Sequence, residues 1–116
     1  MGRFGPMLRK IRKERHRTLA DLSRWLGVSI PYVSDVERGN RAPFPVERIR
    51  LLARELEVEP DDLMAAAAED RGAFELRTDG VSEQGLKVGA ALMRRWSQLT
   101  DEQLQRIEDV LDDAPD

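Results

Sequence analysis

Apolar residues recur at helical spacing along most of the chain, and capping signals divide the pattern into segments. Leu8 and Ile11 share one face, with Arg9, Lys10, Arg12, Lys13 and Arg15 around the rest. This predicts a first helix opened at Pro6 and ending near His16. Thr18 with Asp21 three residues on reads as a variant capping box, followed by Leu19, Leu22 and Leu26 until Gly27 stops the helix. Ser29 is the next N-cap, stapled by Val28 and Val33, with Pro31 in the first turn and Gly39-Asn40 at the end. Two short helices joined by a tight Gly-containing turn make a helix-turn-helix.

A fourth helix runs from about Val46, with Ile49, Leu52, Ala53 and Leu56 on one stripe, and Glu59-Pro60-Asp61-Asp62 opens a fifth. From Glu69 to Gly80 the pattern lapses into a linker, or a short strand over the weakly alternating residues 73–77. Helical signals return with Val81 and Leu86 stapled around Ser82, and Leu99 and Leu104 around Thr100, whose capping box closes with Gln103. The expected fold is all-α: a five-helix unit over 1–68, a linker over 69–81, and a C-terminal helical hairpin over 82–112. Residues 112–116 should fray.

Composition narrows the class. Aromatics are only 5% and Leu, Ala, Arg and Glu dominate, which favours helices. The absence of cysteine excludes disulfides and thiolate metal sites. No apolar run approaches a membrane span, and the chain is expected to be cytoplasmic. A net charge of −3 conceals a division: the 57 residues before Val58 carry 13 basic and 7 acidic side chains, the remainder 6 and 15. A basic first half points to a polyanionic partner.

The runs Leu8-Arg9-Lys10-Ile11-Arg12-Lys13-Glu14-Arg15, Thr18-Leu19-Ala20-Asp21-Leu22-Ser23, Gly27-Val28-Ser29, Tyr32-Val33-Ser34-Asp35-Val36-Glu37-Arg38-Gly39 and Arg41-Ala42-Pro43 resemble the Xre, or Cro/repressor, type of helix-turn-helix regulator. The resemblance covers about residues 7–68 and implies a lambda-repressor-like domain that binds double-stranded DNA with its third helix, about 29–38, in the major groove. Members commonly carry a phosphate-binding Gln near Leu19; here Thr18 and backbone N–H groups would substitute.

Carried onto this chain, the resemblance makes Ser29, Ile30, Pro31, Tyr32, Ser34 and Asp35 the base-contacting residues. Ile30 and Pro31 offer only apolar contact with thymine methyls, whereas Tyr32, Ser34 and Asp35 can hydrogen-bond. Arg and Asn, the favoured bidentate readers, do not occur between Ser29 and Val36, so direct readout is expected to be modest. Phosphate candidates are Arg9, Lys13, Arg17, Thr18, Arg24, Arg38, Asn40 and Arg41, with Arg38, Asn40 and Arg41 first. Arg12 and Glu37 are expected to form a structural ion pair.

His16 lacks partners for a metal site or catalytic dyad, and Gly85-x-x-x-Gly89 lies in a helix without the Lys and Ser/Thr of a phosphate loop. No catalytic activity, metal or cofactor is expected. Two glycines in a helix suggest close approach of another backbone. That backbone could belong to the five-helix unit, with the hairpin packed on it, or to a second copy; Gly85, Gly89, Leu92, Met93, Trp96 and Leu99 are assigned to dimerisation, within a longer stripe continuing through Leu104, Ile107, Val110 and Leu111. The expected function is a repressor acting as a homodimer on a two-fold operator. The alternative is an antitoxin or partner-controlled regulator whose acidic C-terminal region binds a second protein.

Overall fold

The computed structural model describes residues 2–113, so the expected fraying beyond Asp113 lies outside the described residues. These form seven α-helices and no strand: α1 Phe4–Glu14, α2 Leu19–Leu26, α3 Ile30–Glu37, α4 Val46–Leu56, α5 Asp61–Arg71, α6 Glu83–Arg95 and α7 Asp101–Asp112. They divide into two compact units, one ending at Phe74 and the other beginning at Glu75. The all-α, helix-turn-helix architecture is as expected.

Local signals place most boundaries. The Thr18 hydroxyl accepts from the Asp21 N–H at 3.1 Å while the Thr18 N–H donates to the Asp21 carboxylate at 2.9 Å, closing the capping box of α2. Gly27 then takes a left-handed conformation, φ 68°, and ends the helix. Ser29 caps α3 by accepting from the Tyr32 N–H at 3.2 Å. The first unit closes over a core of fully buried side chains from every helix, including Phe4, Leu8, Leu22, Val33, Phe44, Ile49, Leu52 and Leu63. Burial of this apolar area is the main force holding five short helices together.

Two boundaries differ from expectation. The first helix begins at Phe4, two residues before Pro6, because its start is capped from a distance: the Asp70 carboxylate accepts from the N–H groups of Arg3 at 2.7 Å and Phe4 at 2.9 Å. Those N–H groups have no partner within α1. Gly5 is buried where α1 crosses the end of α3, and a Cβ there would lie 2.6 Å from the Val36 carbonyl oxygen and closer still to that of Glu37. The fifth helix runs to Arg71, so residues 69–71, expected as linker, belong to the first unit. Residues 73–77 form no strand.

This boundary also redistributes the charge. The chain through Phe74 carries net +2 and the chain from Glu75 net −5, because the acidic residues of α5 belong with the basic helices.

In the second unit, Ser82 caps α6 by accepting from the Gly85 N–H at 3.0 Å, a 3-10 turn spans Trp96–Gln98, and Thr100 and Gln103 form the reciprocal cap of α7. Neither helix buries a residue: Met93 is 80% exposed, Val110 70% and Leu111 66%. A Cβ on Gly85 would strike the side chain of Val81, so this glycine already serves the start of its own helix. Around Gly89 the space is open.

Candidate nucleic-acid interface

The position of α3 is set from its far end. The Glu37 carboxylate accepts from Arg12 Nε at 2.7 Å and Nη2 at 3.0 Å, and Arg12 Nη1 donates to the Arg17 carbonyl at 3.0 Å. One buried guanidinium from α1 thus ties the last turn of α3 to the segment leading into α2. Its hydrogen bond to Glu37 raises the Arg12 pKa above the ordinary value, despite burial, which works the other way. Val33 and Val36 anchor one face of α3 in the core, while Ser29, Ile30 and Pro31 in its first turn are exposed.

The base-contact candidates fall into different environments. Ser29 is engaged as the N-cap, and Ile30 is 46% exposed. Ser34 and Asp35 are half-buried, and Asp35 accepts from Arg38 Nη2 at 2.8 Å. Tyr32 is half-buried, with its ring 5.5 Å from that of Phe44 in an edge-on arrangement. Phe44 is fully buried and meets Phe4 edge-on in turn, at 6.1 Å.

The phosphate candidates divide by what already holds their charge. Arg24 donates to Asp21 at 2.9 Å and Arg38 to Asp35, so these two cations are locally neutralised. The Asp21 pKa is lowered, first by the N–H of Thr18 and then by Arg24. Arg17 lies over the Trp25 ring at 5.5 Å, and Arg41 over the Tyr32 ring at 4.5 Å. Arg9, Lys13 and Asn40 are exposed. At the start of α2, the Thr18 hydroxyl accepts from the Asp21 N–H, which leaves the Leu19 and Ala20 N–H groups without an intrahelical acceptor. At the start of α3, Pro31 contributes no N–H.

Three residues absent from the expected set shape this surface. Arg48, in the first turn of α4, lies 5.9 Å from the Tyr32 ring centre, with Nη1 3.4 Å from the hydroxyl. Phe44 supports Tyr32 from the core. Arg71, from the last turn of α5, donates to the Pro43 carbonyl and, at 2.8 Å, to that of Phe44, fixing the loop between α3 and α4. Only the aromatic Phe44, set between Pro43 and Pro45 in the turn after α3, hinted at any of this in the sequence.

Residues 8–63 match the family model described as Helix-turn-helix. An uncharacterized HTH-type transcriptional regulator of Bacillus subtilis (strain 168), RghRB, is 37% identical over 67 residues, 58% of this chain and 48% of that protein. The chain thus matches about half the length of this curated relative. The crystal structure of SinR, a master regulator of biofilm formation, in complex with DNA aligns over 53% of this chain and 97% of that one, at 24% identity and a TM-score of 0.48. A structure of the SinR–SinI complex aligns over 95% of both chains at 19% identity and a TM-score of 0.50.

Proposed function

We propose that the chain, whose residues 8–63 match the helix-turn-helix family model, is a cytoplasmic, sequence-specific DNA-binding transcriptional regulator, a repressor that binds a two-fold operator as a homodimer. The observation that carries this reading is the mounting of α3. Its inner face is buried and its last turn is tied to α1 through Arg12 and Glu37, while its first turn stands exposed. A helix held this way presents its N-terminal residues to base edges in a major groove.

The second unit supplies the dimer. Exposed apolar side chains on α6 and α7, Leu86, Met93, Val110 and Leu111 among them, call for a covering surface. The two helices also differ in charge: α6 carries Lys87, Arg94 and Arg95 against Glu83, whereas α7 carries five acids against Arg106. Two copies can therefore cover each other with α6 against α7 and opposite charges at the rim.

Selection from random DNA tests the reading. The expected result is a palindromic site with half-sites about 10 base pairs apart, bound with an affinity that falls steeply as salt rises. Affinity insensitive to salt, or no enriched site, would overturn it.

The same exposed stripe and acidic charge support a second reading, in which a different protein covers the C-terminal unit. SinR, whose fold this chain shares, has been solved in complex with SinI. A stoichiometric second protein co-purifying through residues 75–116 favours this reading; a clean homodimer excludes it.

A further inference from the structure

We propose that Arg41 and Arg48, gathered on the Tyr32 ring, form a fork that binds the phosphates of the DNA backbone, and that Tyr32 is the positioning residue of this fork, not a reader of bases. The inference rests on the DNA-binding reading above.

The first argument is uncommitted charge. Among the described residues, Arg24 and Arg38 are each neutralised by a carboxylate, whereas neither Arg41 nor Arg48 has an acidic partner. Both cations lie close to one ring, so their charge is available to an external anion and the two together attract a phosphate more strongly than either alone.

The second argument is geometric. Arg41 lies 4.5 Å from the ring centre in a cation–π contact that occupies none of its N–H groups, and Arg48 gives only Nη1 to the hydroxyl, at 3.4 Å, so most of the five N–H donors of each guanidinium remain for a phosphate. The platform is itself fixed. Tyr32 abuts the fully buried Phe44, whose carbonyl is held by Arg71, so the arginines rest on a support built into the core. Rotamer freedom restricted before binding is not lost on binding, which raises affinity.

The third argument is position. Tyr32 lies in the first turn of α3, the turn expected at the groove, and Arg41 follows that helix directly. The Tyr32 hydroxyl is faced by Arg48 and its ring by Phe44 and Arg41, which engages it with protein on several sides.

The test is a salt titration of the full chain on its selected duplex and on a random-sequence duplex, read by fluorescence anisotropy. Arg48→Gln and Arg41→Gln should each weaken binding to both duplexes about equally, by about tenfold, and lower the slope of log affinity against log salt by about one. Tyr32→Phe keeps the ring and should stay within about twofold on both duplexes. Tyr32→Leu should weaken both as the arginine variants do.

An unchanged slope in Arg48→Gln, or a changed preference between the duplexes in Tyr32→Phe, would overturn the fork while DNA binding by the parent chain stands. If the parent chain binds neither duplex, the DNA-binding reading and the fork fall together. If Tyr32→Leu unfolds, the arginine variants, altered outside the core, decide the outcome.

Discussion

Arg12 and Glu37, twenty-five residues apart, meet through two hydrogen bonds in the interior of a five-helix unit, and both side chains are almost wholly withdrawn from water. The pair joins α1 to the end of α3, and through the Arg17 carbonyl it also reaches the start of α2. Its first consequence concerns stability. Glu37→Ala leaves a buried guanidinium without its partner, a loss of about 3–5 kcal/mol. Thermal unfolding followed by circular dichroism should shift down by more than about 10 °C in a domain of this size. An unchanged midpoint would refute the assignment.

Gly5 offers a second test. The carbonyl oxygens of Val36 and Glu37 occupy the space a side chain would need, so Gly5→Ala must push α1 away from α3. Overpacking of this kind costs about 1–3 kcal/mol, even though alanine favours helix more than glycine does. Denaturant melts should show a lower midpoint. A stabilised variant would mean that helix propensity outweighs the crossing.

The Asp70 carboxylate is held below its ordinary pKa, first by the Arg3 N–H; burial opposes this as the next-largest effect, and the N–H of Phe4 adds to the lowering. A carboxylate depressed in the folded state contributes stability that is complete above its unfolded pKa, about 3.9, and lost as pH falls through the folded value. Stability of the parent chain should therefore decline below about pH 4. Asp70→Asn should be less stable than the parent at neutral pH, and the gap should narrow in acid. Parallel pH profiles would exclude Asp70 as the cap.

Self-association is tested on α6. Met93 is 80% exposed, so Met93→Glu should leave the melting of the first unit unchanged while lowering the mass measured by light scattering from dimer to monomer. Affinity for a two-fold DNA site should fall with it. A variant that remains dimeric would move the interface elsewhere.

These residues also show which parts of the fold were legible in sequence. The caps at Thr18, Ser29 and Thr100 could be placed because each is closed by a residue three positions away. The start of α1 could not, because its cap comes from Asp70. The last turn of α5 was hidden by Ala65–Ala68, a run without amphipathic period, buried at Ala66, Ala67 and Ala68. The packing of Tyr32 was not legible, because its partners Arg41, Phe44 and Arg48 come from beyond its own helix. Its place on α3 was local information; its surroundings were not.

The Asp70 cap has a topological corollary. Because Arg3 and Asp70 are hydrogen-bonded, the chain enters and leaves the first unit at one point on its surface. A short peptide could join these ends and new termini could be opened in a surface loop, giving a circular permutant with the same five-helix core. By the same geometry, the unit could be inserted into a loop of another protein with little separation of the host strands.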